Sequence, residues 1–425
     1  MTIIGLDDTD SRERGMCTTY LATRLAEAVA ADGGTVDRTL LIRLNPAVEH
    51  KTRGNAALAV HTDLDPGRAL ELAIDELEPL AEVEDPRTSP GVVVAGDDPG
   101  AVPPAVADFT RRAIRDLLDP ADALALLDEA GYRHRGWAGG RGRIGALAAV
   151  GAGAALDEWT YEHIAYREFD RCGTPREVDE DSVFEAAERF YPDVWDTIDR
   201  VEGQSVCVPN APGPILYGIR GDDADAVSDL AGRIDGEPVE RAATFLTNQG
   251  TDVHLRDGRL GDLRDGHAYR VDGTVATDPE TRRGGHVFFE LRDSERTDVR
   301  IDCVAFEPTK RFRDRIRSLR VGDDLTVCGE VGNGTLKLEK FAVRSLRRTE
   351  ETNPYCPECG RSMPSAGRDQ GYRCRDCGTA KATPETVGLD RDLDVGWYEV
   401  PPCARRHIAK PLVRGGFDAP IHPER

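Results

Sequence analysis

Two cysteine knuckles constrain this chain more tightly than any other stretch. YCPECG and YRCRDCG place Cys356 and Cys359, then Cys374 and Cys377, in matched CxxC pairs separated by fourteen residues. Four thiolates at this spacing suit one tetrahedral Zn²⁺, and the glycine after each pair permits the tight turn around the ion. Four protein ligands leave no open position for substrate, so the expected role is structural. A redox disulfide pair is the weaker reading, because two matched knuckles have no use in it. The other six cysteines (17, 172, 207, 303, 328 and 403) read as core or incidental residues. The ribbon expected at 349–385 is a small part of 425 residues, a length that calls for several domains.

At the other end, TIIGL reads as a short strand and YLATRLAEAV as a helix with apolar residues at three- and four-residue spacing. Asp7, Asp8 and Asp10 therefore share one strand-to-helix connection with GMCTT. Ligands in open α/β sheets bind at such carboxyl ends of strands. Carboxylates this close repel unless they are solvated or share a cation. Two readings stand: a solvated acidic turn, or a Mg²⁺ site completed by phosphate oxygens. RLNPAVEHKTRGNAA adds Arg43, Lys51, Arg53 and Asn55, and Lys51 is the only lysine before Lys310. Metal for some oxygens and cations for others is what a triphosphate requires. RGWAGGRGRIGALAA supplies glycines, Gly142 among them, that let backbone N–H groups approach an anion, although it is not a Walker motif. DEWTYEHIAYRE is expected to be helical, with Glu162 and Tyr166 four apart, compatible with a polar site or an ordinary amphipathic surface.

Strands and helices alternate up to about residue 190, which predicts an α/β domain over 1–190. Residues 191–265 (SVCVP, PILYGIRG, DADAVSDLAGRI, ATFLTNQGTDVHL) fit a small α+β module of ferredoxin-like type. Residues 266–348 carry five short alternating runs with a basic helix candidate, TKRFRDRIRSLR, before the fourth. That is the outline of an OB-fold β-barrel, with any other small barrel as the alternative. After the zinc ribbon comes a tail, 386–425, whose residues 401–425 hold five basic against two acidic side chains. Arg405, Arg406 and Lys410 are candidate RNA contacts, unless the tail is a strap docked on an acidic body.

The formal net charge is −22, and only six of the 55 basic residues are lysines. Such a surface suits a salt-rich cytosol, where self-repulsion is screened. It argues against nucleic-acid binding at low salt. In strong salt the counterion-release term shrinks, and shape, stacking and hydrogen bonds carry more of the affinity. No secretory signal is visible, and IGALAAVGAGAAL is too short to span a bilayer. A cytoplasmic location with no membrane partner is expected.

GLDDTDS, GMCTTYLA, RLNP with KTRGNAA, GRGRIGALAA, TYEHIAYR, LYGIRG, TNQGTDVHL, the barrel segment, the double CxxC and ARRHIAKPL occur in that order. Together they resemble the archaeal tRNA(Ile) 2-agmatinylcytidine synthetases over essentially the whole chain. The resemblance implies a kinase-like N-terminal domain that uses ATP to activate the C2 carbonyl oxygen of the wobble cytidine as a phosphoryl ester. Members of that family release AMP and diphosphate from ATP. Agmatine displaces the activated oxygen through its primary amine, and the CAU-anticodon isoleucine tRNA then reads AUA instead of AUG. Under this resemblance Asp7, Asp8, Asp10 and Thr18 are catalytic, with Asp7 and Asp8 on Mg²⁺ and Thr18 a phosphate acceptor or contact. Arg43, Lys51, Arg53, Asn55 and Gly142 would bind ATP, and Glu162 and Asp252 are candidates for the agmatine dication. Two rivals remain. A non-catalytic single-strand-binding protein would use the barrel and ribbon but leave the first 200 residues idle, and a related enzyme could use another base or amine. The residues alone support a metal- and nucleotide-dependent enzyme acting on RNA.

Overall fold

The structure is a computed structural model that describes residues 1–51 and 54–425, so Arg53 lies outside the described residues. The N-terminal body supplies β1 (Thr2–Asp7), α1 (Thr18–Ala31), β2 (Val36–Arg43), β3 (Ala56–Thr62), α2 (Pro66–Leu77) and β4 (Gly91–Ala95). It continues with α3 (Pro104–Arg115), α4 (Pro120–Ala130), β5 (Arg133–Gly136), α5 (Arg143–Ala155), β6 (Thr160–Arg167) and, further on, β7 (Val194–Trp195). These strands join Ile215–Gly221 and Val239–Thr247 in one nine-stranded sheet. Its order is β5, β4, β1, β3, β2, Val239–Thr247, β6, Ile215–Gly221, β7. Neighbours run antiparallel except at β2, which pairs parallel with Val239–Thr247.

Alternation along β1 divides the core. Ile4 and Leu6 face α1 and α2, packing with Leu21, Leu25 and Leu72. Ile3 faces the other side, where α3, α4 and α5 bury Val106, Leu127 and Val150. Helix α5 lies so close to β1 that a Cβ on Gly5 would sit 2.1 Å from the Ala146 carbonyl oxygen. The glycine- and alanine-rich run is thus a device for close helix-on-strand approach.

TYEHIAYR is strand β6, not the helix expected. Its β-branched and aromatic residues favour a pleated surface, and it has hydrogen-bonding partners on both edges, Ile215–Gly221 and Val239–Thr247. Glu162 and Tyr166 still share a face, because four residues are two strand periods. Both long strands of the 191–265 segment flank β6, so the sheet is continuous across residue 190.

The five runs after Gly266 form a closed barrel of Ala268–Val275, Val287–Arg292, Arg300–Ala305, Asp324–Gly332 and Thr335–Ser345. The first strand pairs with the second and fourth, the second with the third, and the third runs parallel to the fifth, which closes on the fourth. The basic helix between the third and fourth is short, Phe312–Arg317, and buries Phe312 and Ile316 in the barrel core. The tail returns to this barrel, with Gly396–Glu399 adding antiparallel to Thr335–Ser345. No helix among the described residues is long and apolar enough to cross a membrane.

Candidate active site

Asp7 ends β1, half-buried at the mouth of the sheet. Its Oδ1 accepts the Asp8 N–H at 2.7 Å, and Asp8 itself has φ +60°, a left-handed conformation uncommon outside glycine. Across from it, a Cβ on Gly145 would lie 1.9 Å from Asp7 Oδ2. The first turn of α5 therefore presses bare backbone against the carboxylate, with the positive end of the helix toward it. Desolvation, and then the neighbouring Asp8, push Asp7 well above the ordinary carboxylate range. Desolvation also raises Asp8, to about 6, against the opposing Arg141 guanidinium, whose Nη2 is 2.8 Å from Asp8 Oδ2. Two poorly solvated carboxylates beside one arginine have a charge deficit that a divalent cation would fill. This donor set fits Mg²⁺, which takes one or two carboxylates together with phosphate oxygens.

Thr18 opens α1, and Thr9 Oγ1 donates to Thr18 Oγ1 at 3.0 Å. Cys17, the N-cap, places Sγ 3.0 Å from Thr19 Oγ1, and the backbone N–H groups at the start of a helix favour an anion.

The opposite wall is assembled from three strands. Arg43 at the end of β2 places Nη2 3.2 Å from Glu162 Oε2, and Arg220 Nε lies 3.2 Å from Glu162 Oε1. Burial alone would raise Glu162, but Arg220 and Arg43 outweigh it and hold the carboxyl below its usual range. Arg43 is fixed by the TNQG segment. Its Nε donates to Gln249 Oε1 at 2.6 Å, its N–H donates to Asn248 Oδ1 at 2.8 Å, and Asn248 Nδ2 returns a bond to the Arg43 carbonyl at 3.0 Å.

The two walls enclose a cavity of about 510 Å³, a size suited to a nucleotide-scale ligand. Asp7, Asp8, Asp10, Thr18, Arg43, Lys51, Asn55, Gly142 and Glu162 all line it. Lys51 Nζ donates to the Pro46 carbonyl and Asn55 Nδ2 to that of Asn45 at 2.8 Å, so both also brace the connection between β2 and β3. Burial depresses Lys51, as do the nearby Arg406, Arg12 and Lys337, with Glu330 opposing. Three of the lining arginines escape the sequence reading of the site: Arg141, Arg176 and Arg220. Arg141 and Arg220 sit inside strings already singled out, GRGRIG and LYGIRG, but nothing local marks an arginine as facing a cleft.

Other expectations land elsewhere. Asp252 does not line the cavity. Its Oδ1 accepts the Lys410 N–H at 2.7 Å and lies 3.2 Å from Lys340 Nζ. Arg405 is not presented to a partner: its side chain is 2% exposed, with Asp196 at 2.6 Å and Glu399 at 2.7 Å. Two buried carboxylates take it out of solvent, which is the strap alternative. Arg406 stays more open beside Glu330 and Glu339, at 3.4 and 3.5 Å, and Lys410 Nζ lies 3.2 Å from Glu158.

In the ribbon, the ligand atoms of Cys356, Cys359, Cys374 and Cys377 lie within 4.8 Å of one another. Zn–S bonds of about 2.3 Å in a tetrahedron need sulfurs about 3.8 Å apart, so the four thiols fit a structural zinc after a small contraction.

Carboxylates short of a cation, facing arginines across a nucleotide-sized cavity, are the equipment of phosphate chemistry, and a small barrel with a cysteine ribbon is a common nucleic-acid-binding pairing. The class is thus a nucleotide-dependent enzyme of RNA modification. Comparison narrows it. The TiaS TCKD domain model matches residues 3–68, the TiaS FLD domain model 140–254 and the TiaS C-terminal zinc ribbon domain model 353–393. The isoleucine-tRNA 2-agmatinylcytidine synthetase TiaS of Haloquadratum walsbyi is 62% identical over 462 aligned positions, covering 100% of both chains. That of Methanosarcina mazei is 48% identical over 418, covering 97% of each. A solved complex of TiaS with its isoleucine tRNA, AMPCPP and agmatine superposes with a TM-score of 0.86 at 39% identity, covering 100% of this chain and 99% of that one. The chain belongs to the isoleucine-tRNA 2-agmatinylcytidine synthetase (TiaS) family.

Proposed function

We propose that the protein is an ATP-dependent ligase that joins agmatine to C2 of the wobble cytidine in a CAU-anticodon isoleucine tRNA. The observation that carries this reading is the convergence of the acidic end of β1, Thr18 and Arg43 on one cavity, in a chain related over its full length to such synthetases. The C2 carbonyl oxygen of cytidine is a poor leaving group; transfer of a phosphoryl group from ATP to it, with the bond from that phosphorus to the rest of the nucleotide breaking, makes it a good one. The agmatine amine then forms the C2–N bond as the C2–O bond breaks, the oxygen leaves on phosphate, and the amine proton passes to solvent or a cavity carboxylate. The modified base pairs with adenosine, converting AUG reading to AUA.

Asp7 and Asp8 would hold Mg²⁺, which supplies charge neutralisation at phosphate oxygens when bound. Thr18 contacts or accepts a phosphoryl group at the start of α1, and Asp10 completes the acidic wall. Arg43, Lys51, Asn55 and Gly142, together with Arg53 and the added Arg141, serve the nucleotide. Glu162 is the candidate for the agmatine cation, which must compete with Arg43 and Arg220 for its oxygens. The cytidine has to leave the anticodon stack to enter the cavity, and Arg406, near Lys51 and beside Glu330, is with Lys410 a candidate contact for the RNA backbone.

The strand order of the barrel supports an OB-fold over 266–348. The succession of β6, helix Glu180–Phe190, Ile215–Gly221, helix Ala224–Ala231 and Val239–Thr247 supports a ferredoxin-like module that starts before residue 191. The remaining limits are a kinase-like domain ahead of that module, a ribbon over 349–385 and a tail over 386–425.

The test is to incubate the protein with ATP, Mg²⁺, labelled agmatine and a CAU-anticodon transcript in high KCl. Label in the tRNA, with the mass of agmatinylcytidine after nuclease digestion, is expected. Bound but unlabelled tRNA with no ATP cleavage would overturn the reading in favour of a binding protein. ATP cleavage without label would redirect it to another amine or base.

A further inference from the structure

The loop 248–254 connects the cleft to the far half of the molecule. On one side Asn248 and Gln249, each 0% exposed, hold the backbone and guanidinium of Arg43. On the other, Asp252 is gripped by the barrel and the tail together. Its Oδ1 accepts the Lys410 N–H, and Lys340 Nζ spans Asp252 at 3.2 Å and the Lys410 carbonyl at 3.0 Å. Lys340 belongs to the last barrel strand, its side chain is 2% exposed, and it is seated over the rings of Phe417 at 4.6 Å and Trp397 at 5.4 Å. A buried ammonium held this way depends on the oxygens that accept its hydrogen bonds. Arg414 makes a second clasp: Nη1 donates to the Gly250 carbonyl at 2.5 Å, while Asp222 and Glu158 at 2.6 and 3.0 Å hold the same guanidinium.

Between clasp and cleft the loop has little freedom. Thr251 Oγ1 donates to the Asn248 carbonyl at 2.7 Å. Gly250 has φ +74°, and a Cβ there would lie 2.5 Å from the Trp195 ring. The segment moves as one packed piece or not at all.

We propose that Asp252 is a positioning residue: by docking loop 248–254 onto the barrel and the C-terminal strap, it sets Gln249 and Asn248 and through them the Arg43 guanidinium in the cleft. This rests on the reading of the cavity as the reaction site, and it gives Asp252 a different job from binding agmatine. Asparagine at 252 keeps the oxygen that accepts both bonds, and alanine removes it.

The experiment is a kinetic cycle on the full chain with the CAU transcript, after wild-type label transfer has been established. Absence of wild-type transfer would refute the underlying reading as well as this one. Asp252→Ala should lower kcat about ten- to a hundredfold, the scale of a misplaced catalytic group. Asp252→Asn should stay within about threefold of wild type, with agmatine KM unchanged in both variants. In an Arg43→Lys background, Asp252→Ala should cost less than about twofold more, because residues acting through one another are non-additive. Additive losses would overturn the proposal. So would an Asp252→Asn variant as damaged as alanine with a raised agmatine KM, which would make Asp252 a direct contact of the dication. Should Asp252→Ala fail to fold, Arg414→Gln takes its place in the same cycle under the same expectations.

Discussion

The two walls of the cleft are built in opposite ways. The acidic wall is local: Asp7, Asp8, Asp10 and Thr18 fall within twelve consecutive residues of one strand-to-helix connection. The arginine wall is remote: Arg43, Glu162, Arg220 and Gln249 come from separate strands and a loop, and meet only because β6 is inserted between Ile215–Gly221 and Val239–Thr247. Their electrostatics differ as well. The local wall is short of positive charge, which suits an arriving cation. The remote wall carries an excess of positive charge, with one buried carboxylate between two guanidiniums. Local walls survive small shifts of the fold, and remote walls report on every pairing that assembles them.

The sharpest way to break the contrast is Asp8→Ala. Removing a carboxylate from the underneutralised wall should lower agmatine incorporation by at least about a thousandfold, with tRNA retention on filters unchanged. Gly145→Ala attacks the same wall through packing alone. Its Cβ would occupy the space of Asp7 Oδ2, so steady-state assays should find kcat down by about a hundredfold and thermal melts a loss of about 1–3 kcal/mol.

Glu162→Gln tests the remote wall. It strands two largely buried arginines, a cost of about 3–5 kcal/mol measurable by denaturant unfolding. The pH dependence has a definite sign. Arg220 and Arg43 hold the folded-state pKa of Glu162 below its unfolded value. Its stabilisation is therefore complete above the ordinary glutamate pKa of about 4.3 and is lost as pH falls through the depressed folded value. The acid limb of the stability profile should flatten in Glu162→Gln, and an unchanged limb would show that the triad does not form. The smallest effect on the cleft is expected from zinc removal. Chelation should unfold residues 353–393 and weaken tRNA binding, while amide exchange in β1 and β6 stays as it was.

The same contrast explains what could be read from the sequence. The acidic loop, Thr18 and the four cysteines are contiguous or regularly spaced, so chemistry and position arrive together. Arg220 is invisible as a site residue because its role depends on standing opposite Glu162 across a strand pair. TYEHIAYR invites a helical reading because four-residue spacing satisfies both periods, and only its two edge partners decide the matter. Asp252 and Arg405 show the limit for charged side chains. In a chain of net charge −22, a basic residue in a tail finds carboxylates within the body, as Arg405 does with Asp196 and Glu399, and its exposure cannot be read from composition.

The most direct test of the claim that both walls serve one reaction is a crystal structure of the protein with Mg²⁺ and a non-hydrolysable ATP analogue. The account predicts phosphates between the Asp7–Asp8 carboxylates and Arg43, with the metal on the acidic side and the first turn of α1 against an anionic oxygen. A nucleotide bound outside the cavity, or phosphates that leave Asp7, Asp8 and Arg43 untouched, would contradict it.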